Sequence, residues 1–254
     1  LYAINKANTH LDLFDASLTK NTQCIAVTGA VDLIDKKVYD ELGGLDEDYI
    51  YGLEDVDFSL KLHKNGYKTL LASNALLFHH ESSTRVKTKD YADNDKHNYN
   101  VFWSKWGNYL SKNLLLDKIH DGKFFTQKKL KITIIDENYQ DNSDFLSKIS
   151  KDFNDLGFTV ELISDLKNLY IGNSSDILLS LSLDYDLENM VARDDIVRVF
   201  ISQNGEDNPK GYDIVVSEEN KDYDSKYNFV IKDNFVKEFL DNLEDILMKS
   251  DGFL

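Results

Sequence analysis

The chain has 254 residues, 42% of them hydrophobic, and a formal net charge of −16 at pH 7. At about 100–200 residues per domain, this length predicts one large or two small domains. The strong negative charge argues against nucleic acid as a partner and against electrostatic binding to an anionic membrane.

No apolar run reaches the ~20 residues that a membrane-spanning helix needs, which predicts no transmembrane segment. The single cysteine, Cys24, allows no intrachain disulfide and fits a reducing cytoplasm. The first residues, Leu-Tyr-Ala-Ile-Asn, contain no initiator Met and no signal-peptide pattern, so we interpret the chain as a piece of a longer protein.

The first readable element is a predicted strand at residues 23–34 with Gly29 at its centre. A glycine inside a strand indicates either close approach of another backbone or a ligand, or a bulge. Asp35 then predicts the N-cap of a short helix at 36–42, and Gly43 its end.

Acidic side chains and histidines concentrate between residues 43 and 83. Glu54, Asp55 and Asp57 fall in the first turn of a helix that Gly66 ends. Any protein can place acids there, because the helix dipole favours negative charge at that end. Carboxylates also serve as general bases, and histidine is the commonest metal ligand among side chains. Strands predicted at 67–72 and 74–79 follow, the second ending at His79 and His80.

Six motifs follow one another over about residues 20–110. They are Val27-Thr28-Gly29-Ala30, Gly43-Gly44-Leu45-Asp46-Glu47, Tyr51-Gly52-Leu53-Glu54-Asp55-Val56-Asp57, Gly66-Tyr67-Lys68, His79-His80-Glu81-Ser82 and the segment from Asn100 to Gly107. This ordered set resembles the C-terminal half of the catalytic domain of family-two inverting glycosyltransferases, which have the GT-A fold. It implies a partial GT-A domain in the first half of the chain.

The resemblance also implies roles for individual residues. Asp55 would be the catalytic base, and Glu54 would orient the acceptor or the base. Other positions would contribute to the substrate site: Gly29, Ala30, Gly44, Asp46, Asp57 and Arg85. Among these, Asp46 would brace its loop, Asp57 would bond backbone amides at the helix start, and Arg85 would contact a diphosphate or lie on the surface.

The metal expectation rests on His79 and His80. One of them would join an Asp-x-Asp motif in holding a divalent cation, Mn²⁺ or Mg²⁺, on the donor diphosphate. Neighbouring residues on a strand face opposite sides, so only one imidazole is expected to point into the site, and the family pattern favours His79. The donor-binding half, with its Asp-x-Asp, would lie in residues outside this chain.

Aromatic and apolar residues recur at helical spacing near the end of this region: Tyr99, Phe102, Trp103, Trp106 and Leu110. This pattern predicts a helix packed against the first domain. An aromatic platform for a sugar is the alternative.

The second half of the chain is much more acidic than the first. Residues 1–128 carry 18 acidic and 16 basic side chains, against 27 and 13 in residues 129–254. We therefore predict a boundary between residues 112 and 130, with domains at 1–120 and 129–254.

Strands and helices alternate after the boundary. Strands are predicted at 130–135, 158–163, 177–181, 196–201 and 212–216, and helices at 144–156 and 233–248. Such alternation predicts a parallel, Rossmann-like α/β domain. Its order weakly resembles the first half of a GT-B glycosyltransferase. No Gly-x-Gly-x-x-Gly follows the first strand, so a dinucleotide site is unsupported.

The expected function is an inverting transfer of sugar from a nucleotide-sugar donor to a glycan or protein acceptor. The resemblance implies bacterial surface-glycan or glycoprotein synthesis in the cytoplasm, at the inner face of the membrane. The alternative is a non-catalytic binding or assembly module, whose acidic second domain docks another enzyme or forms a homo-oligomer.

Overall fold

The computed structural model describes residues 21–72, 75, 89–120, 128–136, 138, 140–164, 175–181, 196–203 and 209–250. Two compact units divide between Gly107 and Asn108. This division lies inside a helix and comes before the boundary region predicted from the sequence. None of the helices described is both long and apolar enough to cross a membrane.

The described elements of the first unit are two short strands and three helices. In chain order these are β1 (Thr22–Cys24), α1 (Lys36–Glu41), α2 (Glu54–Lys64), β2 (Thr69–Leu71) and α3 (Lys89–Ile119), which continues into the second unit. Strands β1 and β2 pair in an antiparallel manner, with Thr22 opposite Leu71. The strand predicted at 74–79 lies outside the described residues.

The long strand predicted at 23–34 is wrong, because only Thr22–Cys24 is a strand. Beyond it the backbone bonds to side chains of α2 instead of a neighbouring strand. The Val27 N–H donates to Ser59 Oγ at 3.4 Å, and the Gly29 N–H donates to Asp55 Oδ2 at 2.6 Å. This segment therefore lies beside α2, and it turns at residues 29–30.

Helix α1 has the predicted ends. Asp35 Oδ1 accepts the Lys37 N–H at 2.8 Å, which is an N-cap hydrogen bond. Gly43 follows the helix with φ +79°, a left-handed conformation that glycine adopts without strain. Gly66 ends α2 in the same way, with φ +79°.

The core of the first unit includes buried side chains of α2 and α3. Phe58 and Leu60 of α2 are buried, as are Phe102 and Trp106 of α3. The predicted packing of α3 against the first unit is thus confirmed for Phe102 and Trp106, whereas Leu110, which is also buried, lies in the second unit. Tyr99 and Trp103, in contrast, are 49% and 39% exposed.

The second unit is a mixed α/β layer with a six-stranded parallel sheet, consistent with the predicted Rossmann-like domain. Its elements after α3 are β3 (Lys131–Ile135), α4 (Ser143–Asp155), β4 (Thr159–Ile163), β5 (Ile177–Ser180), β6 (Val197–Ile201), β7 (Ile214–Ser217), β8 (Tyr227–Val230) and α5 (Phe235–Lys249). The strand order is β4-β3-β5-β6-β7-β8, and every pair is parallel. The predicted strands and helices are confirmed to within about two residues; β8 was not predicted.

The central strands of this sheet, β3, β5, β6 and β7, are buried on both faces, whereas the edge strand β4 is partly exposed. One face, with Ile132 and Val199, packs in a cluster with Leu146 of α4, Phe239 of α5 and Leu115 near the end of α3. A second cluster lies on the other face. Strands buried on both sides are typical of a parallel sheet and explain the nearly continuous apolar runs in this half of the sequence.

Candidate functional site

The candidate site lies at the start of α2. The three residues before this helix all have positive φ: Tyr51 (59°), Gly52 (142°) and Leu53 (71°). Leu53 is the N-cap and makes no side-chain capping bond. The chain therefore turns sharply and then places Glu54 and Asp55 in the first helical turn.

Two backbone N–H groups orient the Asp55 carboxylate. Gly29 N–H donates to Oδ2 at 2.6 Å, and Val56 N–H donates to Oδ1 at 2.8 Å. Asp55 is half-buried, so its side chain is oriented and still reachable. Each carboxylate oxygen has a second lone pair that can accept another hydrogen bond.

Gly29 lies in a turn, close to the side chain of Asp55, rather than in a strand beside another backbone, as one interpretation of the sequence predicted. A Cβ at this position would lie 3.0 Å from Asp55 Cβ and 3.3 Å from its Oδ2. Asp55 or the Gly29 backbone would have to shift to admit any side chain. Ala30, which follows in the same turn, is half-buried.

Asp32 lies within electrostatic range of Asp55, although the sequence analysis did not select it. Partial loss of hydration, followed by the negative charge of Asp55, raises the pKa of the Asp32 carboxyl above its ordinary value. The signal was present in the sequence as an acid inside an apolar run. The strand predicted for this run gave no reason to pair Asp32 with Asp55.

Glu54 shows an unusual environment on one oxygen. Its Oε2 is enclosed and makes no hydrogen bond among the described residues. An enclosed carboxylate oxygen without a donor is energetically costly, and such a group calls for an explanation. An orienting role beside Asp55 is compatible with this environment.

Asp57 has a different role from its neighbour. It is fully buried, and its Oδ1 accepts hydrogen bonds from Trp106 Nε1 at 2.8 Å and from the Tyr49 hydroxyl at 3.1 Å. Its Oδ2 faces the Lys61 ammonium at 3.1 Å, which is an ion pair rather than a hydrogen bond. Asp57 therefore bonds to these side chains and not, as expected from the sequence, to backbone amides. Because its carboxylate has no exposed surface, it can brace the site but cannot touch a substrate.

The protonation of Tyr49 supports this bracing role. Burial, together with the Asp57 carboxylate, raises the pKa of the Tyr49 phenol far above its ordinary value. The phenol therefore stays protonated at all physiological pH values and donates a hydrogen bond to Asp57.

Asp46 braces the preceding loop, as expected. It bonds to Lys105 of α3, accepts the Asp48 N–H at 2.9 Å and lies 3.9 Å from Lys61. The hydrogen bond from Lys105 lowers the pKa of Asp46 below its ordinary value.

Gly44 has a packing role in the same loop. Its φ is +67°, and a Cβ there would lie 2.8 Å from the Tyr39 ring. Its carbonyl accepts from Lys61 Nζ at 3.3 Å. These contacts account for a glycine at this position without a ligand.

The predicted diphosphate and metal residues, His79, His80 and Arg85, lie outside the described residues. Within the part of the chain that is described, no group of three or more His, Cys, Asp or Glu side chains could hold a metal ion. The described carboxylates alone thus do not form a cation site, and the divalent cation stays a prediction that depends on His79 or His80.

The chain was compared with family models, curated proteins and solved structures. No family model matches the chain, and neither a curated protein nor a solved structure matches it.

Proposed function

We propose that this chain carries the acceptor side of an inverting glycosyltransferase site, with a partial GT-A domain as its first unit. The observation that supports this most strongly is the Asp55 carboxylate, oriented by the Gly29 and Val56 N–H groups at the start of α2. The resemblance of the surrounding motifs supplies the type of reaction.

In the proposed reaction, Asp55 acts as general base. It takes the proton of an acceptor hydroxyl while that oxygen attacks C1 of a nucleotide-activated sugar. The new C1–O bond forms on the face opposite the diphosphate. The bond between C1 and the diphosphate oxygen breaks, and the diphosphate leaves with that electron pair. Glu54 and the Gly29 amide keep the base and the acceptor in line.

A divalent cation, Mn²⁺ or Mg²⁺, when bound, would supply positive charge for the leaving diphosphate. His79 or His80 would be its ligand from this chain. The described residues support no further statement about the cation, and the proposed proton transfer depends only on Asp55.

The partners in this proposal are a nucleotide-sugar donor and a glycan or protein acceptor, in bacterial surface-glycan or glycoprotein synthesis. The reaction would take place in the cytoplasm, at the inner face of the membrane. Nucleic acid is not a proposed partner, because the chain has a net charge of −16.

A second candidate function is a non-catalytic assembly module. The observation that favours it is the excess of acidic residues in 129–254, 27 against 13 basic ones. Such a surface suits docking to a basic partner. The full-length sequence separates the two candidates: an Asp-x-Asp after a buried strand, some 80–100 residues before Gly29, favours the enzyme.

The test uses Gly29→Ala in the full-length protein. Incubation with UDP-, GDP- and dTDP-activated sugars, with release of nucleoside diphosphate as the readout, identifies a donor. The added Cβ displaces Asp55 by a few tenths of an ångström, and we expect turnover to fall by roughly tenfold or more, since small misplacements of reacting groups are costly.

Gly107→Ala is the matched control. A Cβ there meets only Trp103 Cε3, at an ordinary 3.6 Å, inside α3. Alanine in a helix interior is favoured over glycine by about 1 kcal/mol, so this variant should melt at a higher temperature and keep its activity. Equal turnover in the wild type and in Gly29→Ala would contradict the proposed geometry.

A further inference from the structure

Lys61 of α2 connects two parts of the first unit. Its ammonium lies 3.1 Å from Asp57 Oδ2, on the same helix, and 3.3 Å from the Gly44 carbonyl oxygen, in the loop between α1 and α2. Asp46, in the same loop, lies 3.9 Å away. The side chain of Lys61 is 23% exposed and that of Asp57 is 0% exposed. One cation therefore links this loop to the first turn of α2.

The ion pair with Lys61 compensates the buried charge of Asp57. Two other partners of this carboxylate, Trp106 Nε1 at 2.8 Å and the Tyr49 hydroxyl at 3.1 Å, are uncharged donors, and both bond to Oδ1. Solvent does not reach the carboxylate and cannot take the place of the ammonium. Removing the cation from such a pair is strongly unfavourable, because it leaves a buried charge without compensation.

The position of Asp57 connects this charge to the proposed base. Asp57 is two residues after Asp55, and its N–H donates to the Leu53 carbonyl at 2.8 Å, so it belongs to the first turn of α2. Asp55 in turn is oriented by the Gly29 N–H, which approaches Oδ2 at 2.6 Å from a different segment. A shift of Asp57 toward solvent would move this turn and lengthen the bond between Gly29 and Asp55.

We propose that Lys61 is a positioning residue for the proposed base. By compensating the charge of Asp57 and by bonding to the Gly44 carbonyl, it keeps the first turn of α2 where Asp55 meets the Gly29 N–H. Its role is indirect, because it acts through Asp57 and not on a substrate. This inference rests on the proposed function and adds to it a residue outside the reacting groups.

The experiment compares Lys61→Met, which removes the charge and keeps a long side chain, with Lys61→Arg, which keeps the charge, in the full-length protein. We expect Lys61→Met to lose about tenfold or more in kcat with an unchanged KM for the nucleotide sugar, since small misplacements of reacting groups are costly. In the amide proton–nitrogen NMR spectrum, the Gly29 proton should move upfield as its hydrogen bond lengthens. Lys61→Arg should stay within about threefold of the wild-type kcat and keep the Gly29 signal in place, because it preserves the ion pair.

A double variant separates the charge of Lys61 from its packing. If Lys61 acts by compensating Asp57, then Asp57→Asn removes the need for it. Lys61→Met/Asp57→Asn should therefore exceed Lys61→Met in kcat by about threefold or more, with a Gly29 signal closer to that of the wild type. Should Lys61→Met fail to fold, the double variant still decides. It folds if the uncompensated charge is the cause, and it fails to fold if the packing of the lysine stem is the cause.

Lys64→Met is the matched control. Lys64 is exposed in the last turn of the same helix, so this variant removes an equal charge from a solvated position. It should leave kcat and the Gly29 signal unchanged. A wild-type kcat in Lys61→Met, an unmoved Gly29 signal, an equal loss in Lys64→Met, or a double variant no better than Lys61→Met would overturn the inference.

The same measurements distinguish this inference from the proposed function. A Gly29 signal that moves in Lys61→Met and recovers in the double variant, without transfer from any nucleotide sugar by the wild type, contradicts the transferase and supports the role of Lys61. Transfer that continues at the wild-type rate in Lys61→Met contradicts the role of Lys61 and supports the transferase.

Discussion

Asp55 and Asp57 are two residues apart in the first turn of α2, and their surroundings are opposite. Asp55 is half-buried and accepts hydrogen bonds from two backbone N–H groups. Asp57 has no exposed surface and is bonded to an indole, a phenol and an ammonium group. Asp55 is therefore accessible from solvent, whereas Asp57 stabilises the packing of the first unit.

At the residue scale, Asp46 gives a prediction with a defined pH dependence. Its pKa is lowered in the folded protein, so its ionised form stabilises the fold above the unfolded pKa of about 3.9, and this stabilisation is lost as pH falls through the folded pKa. Asp46→Asn should cost about 0.5–1 kcal/mol at pH 7, since the ion pair is partly exposed, and less at pH 3, which lies below the unfolded pKa.

Urea unfolding at pH 7 and at pH 3 measures this difference. The control is Asp40→Asn, whose partner Lys36 is 79% exposed, and we expect no measurable change at either pH. An equal loss in Asp46→Asn at both pH values would show that the side chain acts through packing or through its Asp48 N–H bond, not through its charge.

At the element scale, α3 fixes the loop that leads into α2. Asn98 bonds both backbone groups of Ile50, His97 Nε2 lies 2.9 Å from the Asp48 carbonyl oxygen, and Lys105 bonds Asp46. One face of α3 therefore fixes residues 46–50, which lead into the positive-φ residues 51–53 before α2.

Asn98→Ala tests this role of α3. The substitution leaves the Ile50 N–H and carbonyl without their partner, which we expect to cost about 1–3 kcal/mol of unfolding free energy. Asn100→Ala, at an exposed position of the same helix, has the same effect on helix propensity and should change stability by less than about 0.5 kcal/mol. Similar losses in the two variants would contradict the assigned role.

The elements of this chain differ in how far the sequence could predict them. Asp35, Gly43 and Gly66 mark the ends of α1 and α2 by local chemistry, and the structure has those ends. Residues 27–34 could not be assigned in the same way, because the Val27 and Gly29 N–H groups bond to Ser59 and Asp55, more than 25 residues later. The position of Asp57 in the sequence suggests a helix-dipole role, and its bond to Trp106, 49 residues later on α3, could not be predicted from local chemistry.

At the scale of the whole molecule, the chain consists of two units with separate sheets. The described strands of the first unit form a two-stranded antiparallel sheet, and those of the second form the six-stranded parallel one. The alternation of strands and helices predicted the second unit well, because buried parallel strands are apolar throughout. The difference in charge between the two halves of the sequence did not show that the end of α3 belongs to the second unit. That assignment depends on Leu115, which packs into the core of the sheet.

The position of the unit boundary gives another prediction. A fragment of residues 108–254 keeps Leu115 in its core and the Lys118–Asp176 ion pair, whereas a fragment of residues 129–254 loses both. The longer fragment should unfold cooperatively and be more stable by roughly 2–4 kcal/mol, the size of a core deletion. Equal urea midpoints would instead place the boundary after α3, near residue 129.

The central claim, that Asp55 is the base and Asp57 the brace, is tested most directly by comparing their asparagine variants in the full-length protein. Steady-state transfer kinetics and thermal melts are measured on both. Asp55→Asn should bind the nucleotide sugar normally and lose about 10²–10⁴-fold in turnover, the usual effect of removing a general base. It should also lose some stability, because the asparagine NH2 cannot accept one of the two backbone N–H bonds. Asp57→Asn should lose less turnover and about 2–4 kcal/mol of stability, because it uncouples a buried ion pair. More than about a tenth of wild-type turnover in Asp55→Asn, or a larger loss of turnover in Asp57→Asn, would contradict the account.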